Sequence, residues 1–318
     1  MKSKLDELLM QLSISDVMYS EYEDEIFHYT SPNGFDSILF GDEDNITLWA
    51  SRYDCLNDAS EGTIAQKIYK EVCEELRNSN QITEIMYNVI ATVVPARTVL
   101  FMYDEGDKVK MTREEYDRFV CSFSKNKDAL AMWNYYSKGS KYEGYNVGVS
   151  ALSVRDSLTK SFDNKKVSVH ICPVIYEKEE QKSIIKKLIL KLQGLYTKEH
   201  EKSIHYLISN KLLEWSLTFK SEYFQHEEEV RIIVDVAKKT KNGIMQKRPI
   251  DIKYRNAHGY IIPYIELRFA KEALISISAG PLQCDDNQKE VQKNIMKTLL
   301  HENGYCAIAE YSKIPVRY

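Results

Sequence analysis

The sequence lacks the short motifs that identify several large enzyme classes. It contains no GxxxxGK[ST], no GxGxxG, no HExxH and no GxSxG. These motifs serve phosphate cradling in ATPases, dinucleotide binding in Rossmann folds, zinc-dependent peptide hydrolysis and the serine nucleophile of α/β-hydrolases, respectively. The chain therefore carries no signature of those four chemistries.

Cysteine pairs, long apolar runs and a strong charge are also missing. The six cysteines contain no CxxC pair, which predicts neither a zinc site nor a disulfide framework. No segment approaches the roughly 18 to 20 apolar residues of a membrane span. A net charge of −4 does not indicate binding to nucleic acid or an anionic membrane. We therefore expect a cytoplasmic protein without a bound metal.

What is present is typical of a folded chain, with 43% hydrophobic and 28% charged residues over 318 positions. Short strands interspersed with helices predict an α+β fold, with a mixed, largely antiparallel sheet core and flanking helices. We expect residues 1–318 to form a single domain. Apolar stripes between Ile185 and Phe219 predict two helices joined near Thr197, a helical hairpin inserted over residues 178–220.

Residues 225–236, QHEEEVRIIVDV, alternate charged and aliphatic side chains. If the segment is extended, Glu227, Glu229, Arg231 and Asp235 share one face, and Val230, Ile232, Val234 and Val236 lie on the other. Carboxylates about 7 Å apart raise one another's proton affinity, while Arg231 favours the ionised form. The charged face is therefore either a functional site or a solvated sheet surface with incidental salt bridges.

Two further polar groups precede turns or helices. In Phe27-His28-Tyr29-Thr30 the strand pattern puts His28 and Thr30 on one face, where they can hold a ribose or form an ordinary hydrogen-bonded edge of the core. Asn57, Asp58 and Glu61 precede a predicted helix, where Asn and Asp are also favoured simply as caps.

Aromatic and hydroxyl side chains are dense between residues 121 and 148. Ser122, Trp133 and Tyr136 belong to this region, which can sandwich the flat ring of a ligand. Ordinary core packing is the alternative interpretation, above all for Trp133.

Taken in order, these motifs resemble a widespread bacterial family known only as domain of unknown function 2971. The residues that carry the resemblance are His28-Tyr29-Thr30, Leu56-Asn57-Asp58 with Glu61, Cys121-Ser122-Phe123-Ser124, Met132-Trp133 with Tyr136, Gly144, and Lys220 with Glu227, Glu229 and Arg231. The motifs are short, and their order and spacing carry the resemblance, which spans most of the chain.

The layout more distantly resembles ADP-ribosyltransferases of the His-Tyr-Glu type. That resemblance implies NAD as substrate, with His28, Tyr29 and Thr30 at the ribose, Tyr136 as the stacking aromatic, and Glu229 as the catalytic carboxylate in a Glu-x-Glu pair with Glu227. Tyr135, Tyr142 and Trp133 compete with Tyr136 for the stacking role. Arg231 departs from the pattern and is expected to keep Glu229 charged.

Three functions follow from these observations. The first is a transferase acting on NAD, a small nucleotide ligand, as a toxin or phage-defence effector with an unknown macromolecular target. The second is a noncatalytic ligand-sensing or interaction module, in which His28, Asn57, Asp58, Glu229 and Arg231 form a buried polar network that fixes the fold. The third is a metal-dependent nuclease or phosphoesterase built on Asp58, Glu61, Glu227 and Glu229.

Overall fold

The computed structural model describes residues 8, 11–12, 19–56, 62–105, 108–136, 142–163, 166–238, 240–241, 244–245, 248–257, 259–281 and 285–316. The helices are α1 (Pro32–Phe40), α2 (Ile64–Asn78), α3 (Glu84–Ile90), α4 (Leu130–Tyr136), α5 (Ala151–Ser161), α6 (Lys178–Gly194), α7 (Glu201–Thr218) and α8 (Asp286–Glu302). The strands are β1 (Glu25–Thr30), β2 (Asn45–Arg52), β3 (Val99–Glu105), β4 (Lys108–Glu114), β5 (Tyr116–Ser124), β6 (Tyr145–Ser150), β7 (Val167–Pro173), β8 (Glu229–Ala237), β9 (Thr240–Lys241), β10 (Ile244–Met245), β11 (Lys253–Ala257), β12 (Tyr260–Ala270), β13 (Leu274–Ala279) and β14 (Ile308–Tyr311).

Ten of these strands form one open sheet, which confirms a mixed α+β fold with a largely antiparallel sheet. Only β13 and β14 pair in parallel among the strands of this sheet. The pairs β3–β4 and β9–β10 form two small separate hairpins. None of the described helices is long and apolar enough to cross a membrane.

The sheet forks at β5. Along one edge, β5 pairs with β8 over its whole length, from Tyr116 opposite Ala237 to Ser124 opposite Glu229. The other edge is shared, because β2 pairs at Phe119 and Val120, and β1 pairs at Ser124. From there β1, β6, β13 and β14 form a first arm, and β2, β12 and β11 form a second arm. A cleft opens where the two arms diverge.

Strand β8 is buried on both faces. Val230, Ile232 and Val234 have no exposed surface and join the main core, which α1, α5 and α8 also contact. On the opposite face Ile233 packs with Leu217 of α7. The predicted alternation is therefore correct for the aliphatic side, but the charged side is covered by protein and is not a solvated surface.

The long helical region consists of α6 and α7, joined by a 3-10 turn over Lys198–His200, as the sequence predicts. It lies between β7 and β8, two strands that pair directly with each other. Both helices share a second apolar core with α2 and α3, and this core contains Trp215 and Phe219.

The expected extended conformation is wrong for the residues just before β8. Glu222–Glu227 form a 3-10 helix, and Glu228 adopts a left-handed conformation with φ of 44°. The backbone nitrogen of Lys125 donates to the Glu228 carbonyl, and Asn126 donates to its carboxylate, which hold this corner. Glu227 therefore approaches Glu229 from a turn and not along the same strand.

Candidate functional site

The candidate site begins with a buried ion pair inside β8. Glu229 and Arg231, which are 4% and 2% exposed, lie two residues apart on the same face of the strand. Arg231 donates from Nε to Glu229 Oε1 at 2.8 Å and from Nη2 to Oε2 at 2.9 Å. Its Nη1 donates to the Leu217 carbonyl at the end of α7. The guanidinium is thus fixed by strand and helix together.

Lys220 joins a second carboxylate to this pair. Its Nζ lies 2.7 Å from Glu227 Oε2 and 3.1 Å from Glu229 Oε2. Lys220 is only 7% exposed, and its backbone carbonyl accepts a hydrogen bond from Gln181 of α6. Two cations and two carboxylates therefore form one cluster, termed the Glu229 cluster below.

The cluster keeps Glu229 ionised. Burial alone would raise its pKa, but the charges of Arg231 and Lys220 and a hydrogen bond from Ser122 lower the pKa of Glu229 to about 2. Burial alone would lower the pKa of Lys220, but the two carboxylates raise it above its usual value. Glu229 is therefore an anion throughout the neutral range and cannot serve there as a proton donor.

His28 reaches the same residue, Ser122, from the other side. Its Nδ1 lies 3.1 Å from the Ser122 carbonyl, which can only accept, so Nδ1 carries the proton in this contact. Burial lowers the pKa of His28, with the Ser122 carbonyl acting in the opposite direction. The imidazole is therefore neutral at pH 7, and its Nε2 is an acceptor.

One small cavity of about 20 Å³ brings together the expected catalytic and NAD-binding residues except Thr30 and Trp133. Its lining residues are Phe27, His28, Tyr29, Ser122, Phe123, Met132, Tyr136, Glu227 and Glu229. By strand register Phe27 faces Ser124 and Glu229, and His28 points to the other side of β1. His28 and Glu229 nonetheless both line the small cavity.

The small cavity adjoins the cleft between the arms, which has a volume of about 690 Å³ and shares His28, Tyr29 and Tyr136 with it. The first arm contributes His28 and Thr30 to the cleft, and the second arm contributes Thr47 and Trp49. This volume lies within the range of ordinary small-molecule sites.

The aromatic residues near the cavity differ in accessibility. Tyr136 is 43% exposed and lines both cavities, whereas Trp133 is 1% exposed. Burial of the Tyr136 hydroxyl, together with the charges of Glu227 and Glu229, raises the pKa of Tyr136 to about 12. Trp133 packs edge to face on Tyr29 and donates to Asp128, so it is placed in the core rather than at a ligand.

Tyr29 has a structural role at the edge of the cleft. Its hydroxyl donates to the Asn126 carbonyl and accepts from the Ala129 nitrogen, each within 2.9 Å. These bonds tie β1 to the segment that leads into α4, which carries Tyr136. Tyr29 therefore positions the aromatic side of the cleft.

The second arm adds residues that the sequence analysis did not identify. Thr47 Oγ1 and Arg255 Nε are buried and have no hydrogen-bond partner among the described residues. Arg255 donates from Nη2 to Ser51 and lies over the exposed ring of Trp49, 5.5 Å from its centroid. Neither Thr47 nor Arg255 lies in a recognisable motif. The hydrogen bond between Arg255 and Ser51 joins strands whose residues are 204 positions apart in the sequence.

The three remaining supporting residues, Asn57, Asp58 and Glu61, lie outside the described residues. Among the residues that the structure describes, no group of three or more His, Cys, Asp or Glu side chains is arranged to hold a metal ion. Glu227 and Glu229 are both bound to Lys220. A nuclease site built on Asp58, Glu61, Glu227 and Glu229 stays a hypothesis from the sequence.

Residues 132–232 match a family model described as Protein of unknown function (DUF2971), which confirms the resemblance to this family over that part of the chain. The matched segment includes Tyr136, Lys220, Glu227, Glu229 and Arg231, and it excludes β1 with His28. No protein of curated function and no solved structure matches the chain significantly. The match therefore assigns no activity, and the geometry of the cleft carries the functional argument.

Proposed function

We propose that the protein is an ADP-ribosyltransferase-like enzyme that binds NAD in the cleft between the two arms and cleaves the bond between nicotinamide and ribose. The observation that supports this best is the shared cavity of His28, Ser122, Tyr136 and Glu229. A neutral histidine, an aromatic ring and a permanently ionised carboxylate meet there beside a cleft of ligand size. The distant resemblance in sequence points to the same three side chains.

The chemistry needs a fixed negative charge more than it needs a proton donor. When the glycosidic bond breaks, nicotinamide leaves with the bonding electron pair, and positive charge develops on C1′ and the ring oxygen of the ribose. A preorganised carboxylate in a water-poor site stabilises that charge. Glu229 meets this requirement, because Arg231 and Lys220 hold it ionised and in place. Water or a nucleophile of the target then attacks C1′ and loses its proton to solvent.

The remaining groups bind and orient the ligand in this proposal. His28 Nε2 accepts a hydrogen bond from a ribose hydroxyl, and Tyr136 stacks on the nicotinamide ring. The far wall, with Thr47, Trp49 and Arg255, contacts the rest of the dinucleotide. The toxin or phage-defence setting stays a prediction of the sequence resemblance.

The test is release of nicotinamide from NAD by the pure protein, followed by chromatography, with NAD affinity measured separately by calorimetry. Glu229→Gln should lower the release rate by about a hundredfold or more and retain much of the affinity, because the lost charge acts mainly in the transition state. His28→Ala and Tyr136→Ala should act mainly on affinity.

The matched control is Glu228→Gln, because Glu228 is exposed and lies outside both cavities. It should release nicotinamide at the wild-type rate. All assays run at a temperature where circular dichroism shows each variant folded. Folded wild-type protein that neither binds nor cleaves NAD would refute the proposal.

A noncatalytic ligand-binding module is the second candidate, and one observation favours it. Both oxygens of Glu229 are already occupied, Oε1 by Arg231 and Oε2 by Arg231 and Lys220, and the side chain is 4% exposed. A carboxylate held this way can be a purely structural member of the core. NAD or ADP-ribose binding in the cleft with no turnover would select this candidate.

A further inference from the structure

A second charged cavity lies on the other side of the sheet fork, at the opposite end of the β5–β8 pair. It has a volume of about 480 Å³ and lies among the end of β2, the start of β5 and helix α7. Its lining residues include Arg52, Arg97, Asp117, Arg118 and Lys238. None of them lines the cleft between the arms.

Arg118 gives this cavity an unused donor. The side chain is 1% exposed, and it donates from Nε and Nη2 to Asp235 and from Nη2 to the Tyr19 hydroxyl. Its Nη1 is buried and has no hydrogen-bond partner among the described residues. An unsatisfied buried donor destabilises a protein, so this position favours an acceptor that enters from the cavity.

Among the described residues, positive charge exceeds negative charge around the cavity. Its cations are Arg52, Arg97, Arg118 and Lys238 with Arg248 beside them, and its carboxylates are Asp54, Asp117 and Asp235. Lys238 and Arg248 both pair with the one carboxylate of Asp117. Arg97 is exposed and forms no ion pair with another described residue.

We infer that this cavity binds a small phosphate-bearing molecule. The two excess positive charges of the described residues match a phosphate dianion. The Arg118 Nη1 donor and the Arg97 guanidinium supply charge-assisted hydrogen bonds to its oxygens. Tyr53, at 43% exposure, and Tyr116 also line the cavity and offer apolar surface to the group that carries the phosphate. The inference does not depend on NAD binding in the cleft.

The probe is inorganic phosphate, titrated into the full-length protein by calorimetry at constant ionic strength with chloride as the replaced anion. We expect saturable binding with one site in this cavity. Arg97→Gln and Lys238→Gln should each raise the dissociation constant about fivefold, as expected for removing one partly screened charge near the anion. Both variants should fold normally, because Asp117 keeps Arg248 as a partner when Lys238 is replaced.

Two controls separate this site from others. Lys297→Gln removes an exposed cation from α8, remote in the chain from the cavity, and should leave the dissociation constant unchanged. Arg255→Gln removes one of the two arginines that line the cleft, and it should also leave the dissociation constant unchanged. Absence of saturable binding, wild-type affinity in both cavity variants, or loss of binding in Arg255→Gln would each overturn the inference. The rate of nicotinamide release by the Arg97→Gln variant is measured in a separate assay, which tests the proposed function of the cleft and not the second cavity.

Discussion

Replacement of Glu229 by Gln should destabilise the fold by an amount that depends on pH in a defined way. The pKa of Glu229 falls from an ordinary 4.5 to about 2 in the folded protein. Because one pKa unit corresponds to about 1.4 kcal/mol, the ionised carboxylate contributes about 3 kcal/mol to the free energy of unfolding at pH 7. The variant also removes the carboxylate that Arg231 and Lys220 share. Loss of one partner of a buried pair costs roughly 3 to 5 kcal/mol, which agrees with this value.

The sign of the pH effect follows from the lowered pKa. Above pH 4.5 both folded and unfolded states are ionised at this position, so the full contribution is present. Between pH 4.5 and about 2 the unfolded state binds the proton first, and the contribution is lost. A glutamine has no such titration. The gap in stability between wild type and Glu229→Gln should therefore be largest at neutral pH and should narrow as the pH falls below 4.5.

The measurement is urea unfolding followed by circular dichroism, in steps from pH 7 to the lowest pH at which both proteins fold. Glu228→Gln is the matched control, since its carboxylate is exposed and accepts a hydrogen bond from Asn126 that a glutamine oxygen can also accept. It should change stability by less than about 0.5 kcal/mol. Two results would refute the electrostatic account of the cluster. One is a free energy of unfolding for Glu229→Gln that lies within this same margin of the wild-type value at pH 7. The other is a difference between the two proteins that does not change with pH.

Two further predictions concern packing. Ile232→Ala should lower the free energy of unfolding by about 2 to 4 kcal/mol, because Ile232 has no exposed surface in the main core; a loss under about 1 kcal/mol in urea unfolding would contradict its central position. Gly148→Ala should cost about 1 to 3 kcal/mol, because a Cβ there would lie 2.5 Å from Ser276 Oγ and 2.9 Å from the Phe27 ring. Thermal unfolding that is unchanged by this substitution would show that β1, β6 and β13 have room to shift.

Local patterns in the sequence predict the strands well where the apolar alternation is strong. The sequence pattern predicts strands over residues 25–30, 145–150 and 274–279, and these are the observed bounds of β1, β6 and β13. The turn between α6 and α7 lies where the apolar stripes break. Helix α5 was not predicted, although Ser150 caps it and Ala151, Val154 and Leu158 form its buried stripe. The signal for α5 was present in the sequence and follows the usual helical spacing.

The fork of the sheet cannot be predicted from such local patterns. Whether β1 and β2 share one edge of β5 depends on pairing between residues about 70 to 100 positions apart. Arg118 and Asp235 are likewise directly opposite in register but 117 residues apart in sequence. Hydrophobic periodicity specifies which face of a strand is buried, but it does not specify the neighbouring strand. The cleft, and the placement of Arg255 in it, follow from the pairing alone.

Strand β8 contributes one partner or both partners to two buried ion pairs. Arg118–Asp235 and Arg231–Glu229 lie on the same face of the β5–β8 pair, and both are almost completely buried. A pair of well-packed apolar residues would stabilise such a site equally well or better. The charges therefore add little stability that packing could not supply. What they add is position, because Glu229 is held at the cavity of His28, and Arg118 at the second cavity, each by a partner fixed in the sheet.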